Sequence, residues 1–172
     1  DALAAQGVLD GPALVFAHNQ IVLAVPAGNS ARVAGLDDLV RTDLRIVLAG
    51  DAVPAGRYAR IAITRYAQAI AQSDFLDRVL RRVVSFETNV RLVVAKLELD
   101  AADVGVVYRT DVNASDGRLE SIALPPVAAV DAPYPIVAIR TSTAPLARAF
   151  IEFVLGTSGQ RILQAHGFRH AD

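Results

Sequence analysis

Two predicted helices begin with an arginine beside free backbone N–H groups, an arrangement that could hold an anion. Residues 53–56 read Val-Pro-Ala-Gly and lead from an apolar run into a helix, so the N–H group of Ala55 has no acceptor within that helix. Val90 opens a second helix. Arg57 and Arg91 lie in the first turns, where the helix dipole disfavours positive charge by roughly 0.3–1 kcal/mol each. That cost is reasonable if an anion normally lies between the two helix starts.

A tyrosine at the end of a predicted strand offers a third donor. The apolar run 104–107 ends at Tyr108, whose hydroxyl could join the amides of Ala55 and Val90, and Arg109 follows it. Three donors, each beside an arginine, indicate a small anion. The alternative is that these arginines are simply solvated and bind no anion, because arginine is this chain's usual cation and is often found in solvent near a helix start. A tyrosine in a strand is, by itself, more often a packing residue.

Composition narrows the functional classes. The chain has 172 residues, 53% of them hydrophobic, which is enough for one domain or for two small lobes. The formal net charge is −1 and the basic residues are scattered, so no nucleic-acid partner is expected. The chain has no cysteine, its three histidines are dispersed, and it contains no nucleophile motif or phosphate loop, so neither a metal site nor an enzyme is expected.

Strands and helices alternate along the chain. Short apolar runs predict strands at residues 15–17, 21–25, 44–49, 83–86, 104–108, 119–124 and 136–139. Periodicity and capping predict the tail of a helix at 1–7, helical turns at 35–40, helices at 56–71, 74–82 and 89–97, and two closing helices, the first capped by Thr143. Residues 111–118 are predicted as a polar turn region. This alternation predicts an α/β fold with a largely parallel sheet, in which ligands bind at the carboxyl ends of the strands.

Five motifs, taken together, resemble the periplasmic molybdate-binding proteins of ABC transporters. They occur in the order and spacing of that family and cover essentially the whole chain: 53–59, 89–91, 105–111, Tyr134-Pro135 and Gly167-Phe168. The resemblance implies a type II periplasmic-binding-protein-like α/β fold. Such a fold has two lobes with mixed, mostly parallel sheets, joined by two crossing strands, and the oxyanion lies in the cleft.

The resemblance also implies a ligand set. The Ala55 N–H, the Val90 N–H and the Tyr108 hydroxyl would hydrogen-bond molybdate or tungstate, with no protein atom bound directly to the metal and with no cofactor. The family's remaining ligands are hydroxyl residues near its amino terminus, in a segment absent from these residues, so weak or no molybdate binding is expected of residues 1–172 alone. Two departures from the family are Thr110, where Ser is common, and Asp100, where Gly is usual. The carboxylate of Asp111 is expected to point away from the site.

The same resemblance divides the chain into three parts. Residues 1–25 would be a remnant of lobe 1 with the first crossing strand, residues 26–137 the oxyanion-binding lobe 2, and residues 138–172 the C-terminal helices returning to lobe 1. Lobe 1 would then be incomplete, and because the chain has no Met, Asp1 is not expected to be the translated start. An incomplete lobe would expose apolar side chains and favour self-association as a dimer or a swapped assembly. The side chains expected to be exposed are Phe16, Ile21, Phe150 and Phe153.

The functional prediction is an extracytoplasmic solute-binding protein that captures molybdate or tungstate for an ABC importer. Its partners would be the small oxyanion and a membrane permease. Its place would be periplasmic or extracytoplasmic, with a lipid anchor in a segment before Asp1 as one option. The alternative is an oxyanion-sensing effector domain of a transcriptional regulator, which a helix-turn-helix segment before Asp1 would indicate.

Overall fold

The computed structural model describes residues 7–140 and 144–170, and within them strands and helices alternate. In chain order they are β1 (Leu14–Pro26), a short 3₁₀ helix (Leu36–Val40), β2 (Ile46–Ala49), α1 (Pro54–Ala69), α2 (Phe75–Leu80), β3 (Val83–Glu87), α3 (Val90–Glu98), β4 (Val104–Tyr108), α4 (Arg109–Asn113), β5 (Leu119–Ala123), a second 3₁₀ helix (Pro126–Ala128), β6 (Asp131–Ile136), α5 (Ala144–Leu155), α6 (Thr157–Ala165) and β7 (Arg169–His170). The helix tail predicted at 1–7 and the Thr143 cap lie largely or wholly outside the described residues.

The strands form a mixed sheet in the order β3-β2-β4-β1-β5, with β6 and β7 also paired to β1. β2 runs parallel to both of its neighbours, β3 and β4. β1 runs antiparallel to β4, to β5 and, near its start, to β7. The predicted α/β class with a mixed sheet is therefore confirmed, and the parallel pairings that join β2 to β3 and to β4 lie among the three strands that carry the helix starts of interest.

Alternate strand residues face two hydrophobic clusters, one on each side of the sheet. The first cluster includes Leu23, Ile46 and Leu48, and helices α1 and α2 cover it. The second cluster lies under α3 and contains Val22, Ala24, Val47, Ala49, Ala55, Val93, Leu97, Ala102, Val107, Val112 and Leu119. We call it the α3-side cluster. Gly105 permits the close approach of α3, because a Cβ there would lie 2.9 Å from Cγ1 of Val93 and 3.0 Å from the carbonyl oxygen of Val47.

The contacts divide the chain into two compact units. One is continuous and spans Gln20–Ala132; the other combines the residues up to Asn19 with those from Pro133 onward. These divisions precede the expected boundaries at 25/26 and 137/138 by about five residues each. The assignment of the units to the two lobes of a binding protein remains a prediction.

Three local predictions are wrong. β1 is one strand rather than the two predicted at 15–17 and 21–25, since His18 between them pairs with Arg169 of β7 and Asn19 is buried. Residues 109–113 form α4, where a turn region had been predicted from residue 111. The strand predicted at 136–139 is displaced, because β6 ends at Ile136 and only a single bridge, between Ile139 and Leu9, follows.

Candidate functional site

Three helices start at the same edge of the sheet. The parallel strands β2, β3 and β4 end at Ala49, Glu87 and Tyr108, and each leads within a few residues into a helix: α1, α3 and α4. We call this the carboxyl edge. Because the ends of neighbouring parallel strands lie side by side, the edge gathers the first turns of these helices, whose leading N–H groups have no partner within their own helix ladders.

Ala55 is the second residue of α1 and is 1% exposed. No described side chain caps this helix; Val53 is the N-cap and Pro54 is the first helical residue. Gly56 lets the first turn lie directly on the end of β2, since a Cβ there would overlap the carbonyl oxygens of Gly50 and Ala49. The N–H of Ala55 therefore lies in the first turn of an uncapped helix, and this turn packs against the carboxyl edge.

The contacts of Ala55 differ from those of the rest of α1. Ala59, Ala62 and Ile63 belong to the first cluster, whereas Ala55 belongs to the α3-side cluster. Val90, the first residue of α3, is half-buried and packs against this same cluster. The starts of two helices that cover opposite faces of the sheet are therefore brought to one hydrophobic cluster.

Asn89 caps α3 and leaves its first amide for another acceptor. Its side-chain oxygen accepts the N–H of Leu92 at 3.1 Å. Because this cap serves the third residue of the helix, it does not account for the N–H of Val90. The cap fixes the helix start while keeping the Val90 position at its tip.

Tyr108 is the last residue of β4, is half-buried, and packs partly against both clusters. Its ring meets that of Tyr58 in α1 edge to face, with centroids 6.4 Å apart and planes at 72°. Its N–H donates to Oδ2 of Asp111 at 2.9 Å. Tyr108 therefore joins Ala55 and Val90 at the carboxyl edge, and the roles of these three as anion donors remain a prediction.

The carboxylate of Asp111 turns back to the first turn of α4, where it caps the Tyr108 N–H. Burial raises the pKa of Asp111, although the Tyr108 N–H and the charge of Arg91 oppose the increase. The expectation that Asp111 lies in a polar turn is wrong, because Asp111 is in the short helix α4. The first turn of α4 is held by an acceptor within the chain.

The arginines near the helix starts have contacts within the protein. Arg57 donates to the carbonyl oxygen of Ala52 at 3.0 Å, and Arg91 acts electrostatically on Asp111. Arg109 donates to Oε1 of Gln20 and to Oγ of Ser121, each at 3.3 Å. These interactions give the arginines local roles that do not require an anion.

Sequence reasoning missed a polar group at the end of β3. Nζ of Lys96 lies 2.6 Å from Oε1 of Glu87, and Ser85 also donates to that carboxylate. Lys96 further contacts Oγ of Ser85 at 2.7 Å. The spacing of Ser85 and Glu87, two residues apart in a strand, places both on one face. That spacing, together with the chain's single lysine on the following helix, was the available signal.

Two kinds of site receive no support from the part of the chain that the structure describes. Its His, Asp and Glu residues form no group of three or more that could hold a metal ion. Within residues 7–140 and 144–170, no helix has both the length and the apolar character needed to cross a bilayer.

Comparison with known proteins gives a consistent family. A family model described as bacterial extracellular solute-binding protein matches residues 1–169. The chain is 32% identical over 169 residues to the molybdate-binding protein ModA of Mycobacterium tuberculosis, covering 98% of this chain and 60% of that protein. The chain thus spans about 60% of the length of this curated relative.

Solved structures support the fold. The periplasmic molybdate-binding protein of Azotobacter vinelandii is similar with a TM-score of 0.75 at 19% identity, over 97% of this chain and 72% of that one. The sulfate-binding protein SubI of Mycobacterium tuberculosis is similar with a TM-score of 0.83, also at 19% identity, over 99% and 64%. Proteins named for two different oxyanions share this architecture, so the fold alone does not select between them.

Proposed function

Because the chain belongs to the family of bacterial extracellular solute-binding proteins, we propose that it contributes one side of a molybdate- or tungstate-binding site of an ABC importer. The donors of this side are the N–H of Ala55, the N–H of Val90 and the hydroxyl of Tyr108. The choice of oxyanion is supported by the 32% identity to a protein named for molybdate binding.

One observation carries the proposal. Ala55 leaves the cluster that the rest of α1 occupies and packs in the α3-side cluster, against which Val90 and Tyr108 also pack. An uncapped helix start, a second helix start and a phenol are thus gathered at one edge of the sheet, where binding sites of α/β proteins lie.

The chemistry of these groups suits a fully deprotonated tetrahedral dianion. Each of the three groups donates a hydrogen bond, and every oxygen of molybdate, tungstate or sulfate accepts one. Helix N-termini add favourable partial positive charge without a counter-ion. Burying a dianion with an incomplete donor set costs several kcal/mol, so these donors alone should bind weakly, in the millimolar range at about −4 kcal/mol.

Amide NMR is the direct test, because it detects weak binding residue by residue. Titration of the ¹⁵N-labelled chain with sodium molybdate should shift the amide signals of Ala55 and Val90 saturably. Tungstate should act similarly, and phosphate and chloride should act less. Shifts that spread over the surface without saturation, or that chloride reproduces at equal ionic strength, would contradict the proposal.

Removal of the Tyr108 hydroxyl should weaken binding. A hydrogen bond to a charged group contributes about 1.5–3 kcal/mol, so Tyr108→Phe should raise the Kd for molybdate on the order of tenfold or more. The matched control is Tyr66→Phe, since Tyr66 packs against Phe75 in the first cluster, away from the α3-side cluster. Equal affinities of wild type and Tyr108→Phe would remove Tyr108 from the site.

The remaining parts of the proposal concern partners and place. The family's description supports an extracytoplasmic place, and a relative named as an ABC transporter substrate-binding lipoprotein supports delivery of the ligand to a membrane permease. We call the unit that combines the residues up to Asn19 with those from Pro133 onward the two-segment unit. We further propose that the chain self-associates through apolar side chains of this unit, where Phe150 and Phe153 are 60% and 50% exposed. Ile21, expected to join them, is instead buried in the continuous unit, and Phe16 is half-buried.

A further inference from the structure

We infer that the Glu87–Lys96 ion pair controls the electrostatic potential of the proposed oxyanion site, with Lys96 neutralising a carboxylate that would otherwise repel the anion. This inference rests on the proposed function and assigns to it two further residues, which act on affinity through charge rather than through contact with the ligand.

Glu87 lies between the segments that carry the two amide donors. It is the last residue of β3 and precedes Val90 by three positions. Its carbonyl oxygen accepts the N–H of Gly50 at 2.8 Å, in the loop that leads from β2 to α1 and Ala55. Gly50 in turn lies against the first turn of α1, because a Cβ on Gly56 would overlap its carbonyl oxygen. The backbone of Glu87 is therefore close to the segments that begin both helices.

The side chain of Glu87 is unusual in its burial. It is 10% exposed, and Glu87 is the one charged residue among the buried residues of the described chain. A buried carboxylate is costly unless it is paired. At a helix start suited to an anion, an unpaired carboxylate would also oppose the binding of that anion.

Lys96 supplies the balancing charge from α3. It is the seventh residue of that helix, about 9 Å along the axis from Val90 at 1.5 Å per residue. Side chains of a helix lean toward its N-terminus, and Nζ accordingly reaches back to within 2.6 Å of Oε1 of Glu87. The pair presents no net charge to the carboxyl edge.

The size of the effect follows from Coulomb's law. A unit charge about 10 Å from a dianion, in a medium between protein and water, changes the Kd on the order of three- to tenfold at low ionic strength. Salt should reduce this change, because the Debye length falls to about 8 Å at physiological ionic strength.

A purely structural role for the pair gives a different expectation. If the pair only holds β3 against α3, the loss of either partner should displace Val90 and weaken binding. An electrostatic role gives opposite signs, since Lys96→Gln leaves a negative charge and Glu87→Gln leaves a positive one. The sign of the two single variants therefore separates the two roles.

The experiment measures the Kd for molybdate from the Ala55 and Val90 amide shifts of the full chain at low and high salt. Lys96→Gln should raise the Kd three- to tenfold and Glu87→Gln should lower it by a similar factor. The double variant should return close to wild type, and all changes should shrink at high salt. If Lys96→Gln does not fold, tightening by Glu87→Gln alone carries the test.

The Arg45–Asp103 pair is a matched control. Its Nη2 and Oδ1 atoms are 2.7 Å apart, and the two residues directly precede β2 and β4, at the opposite edge of the sheet. Arg45→Gln and Asp103→Asn make the same charge changes and should leave the Kd within about twofold, as expected for charges well beyond a Debye length from the site. Weakening by both Glu87→Gln and Lys96→Gln, or equal effects of the control pair, would overturn the inference alone. A wild type whose Ala55 and Val90 amides do not respond to molybdate would overturn the proposed function and the inference with it.

Discussion

The residues at the carboxyl edge differ in how easily the sequence alone singles them out. Ala55, Val90 and Tyr108 stand out in the sequence because a strand-to-helix junction needs only local patterns to be found. Glu87 and Asp111 do not, because their roles depend on partners that the local pattern does not specify: Lys96 on another element, and the first turn of a helix too short to show a period. The role of a charged residue that depends on its partner can be assigned only once the structure shows that partner.

The pairing of Glu87 predicts a pH dependence of stability. Hydrogen bonds from Lys96 and Ser85 lower the pKa of Glu87 below its usual range. The stabilisation is therefore present above the unfolded-state pKa and is lost as the pH falls through the lower folded-state pKa. Urea unfolding at a series of pH values should show the free energy of unfolding of Glu87→Gln falling less steeply below about pH 4.5 than that of wild type. Parallel curves for the two proteins would contradict the assigned partners.

At the scale of elements, the sequence predicted the helices better than the long strand. Helices α1 and α3 are long enough for their apolar residues to show a helical period, and turn residues or a capping residue precede them. The sequence predicts two strands in place of β1 because three polar residues, His18, Asn19 and Gln20, interrupt its apolar run. His18 pairs with Arg169 of β7, and pairing with β4 begins at Ile21, so contacts on both sides of the interruption keep the strand continuous and override the local signal.

The close packing of the first turn of α1 on the end of β2 depends on the absence of a side chain at Gly56. Gly56→Ala should destabilise the protein by about 1–3 kcal/mol, because the added Cβ would overlap two backbone carbonyl oxygens that cannot rotate away. The free energy of unfolding, from urea denaturation, checks this. The matched control is Gly35→Ala: its backbone is extended, with φ 178°, and its added Cβ would meet nothing within 4 Å. That variant should change the stability by less than about 1 kcal/mol. Equal effects would contradict this close packing.

At the scale of the molecule, the two-segment unit presents an apolar surface. Phe150 and Phe153 line a cavity of about 260 Å³ whose other described walls are also apolar, among them Ile136, Val154 and Ile162. Patches of this kind mark places where another surface binds. Which surface this is depends on the assembly and not on the fold of the unit, so the sequence could indicate the exposure of the two phenylalanines but not their partner.

Self-association should depend on these two side chains. In sedimentation velocity over a concentration series, wild type should shift toward a dimer, and Phe150→Gln/Phe153→Gln should remain monomeric. Leu99→Gln is the control, since Leu99 is 77% exposed in the continuous unit and its replacement should leave the assembly intact. A wild type that is monomeric throughout would refute the proposed association.

The division of the chain has a consequence for its biosynthesis. The continuous unit is complete once Ala132 has been made, whereas residues before Gln20 must await the segment that begins at Pro133. On the ribosome, the unit that carries Ala55, Val90 and Tyr108 can therefore fold first. During that interval the residues before Gln20 lack the contacts that the segment from Pro133 onward supplies, and they are then most accessible to a chaperone or a protease.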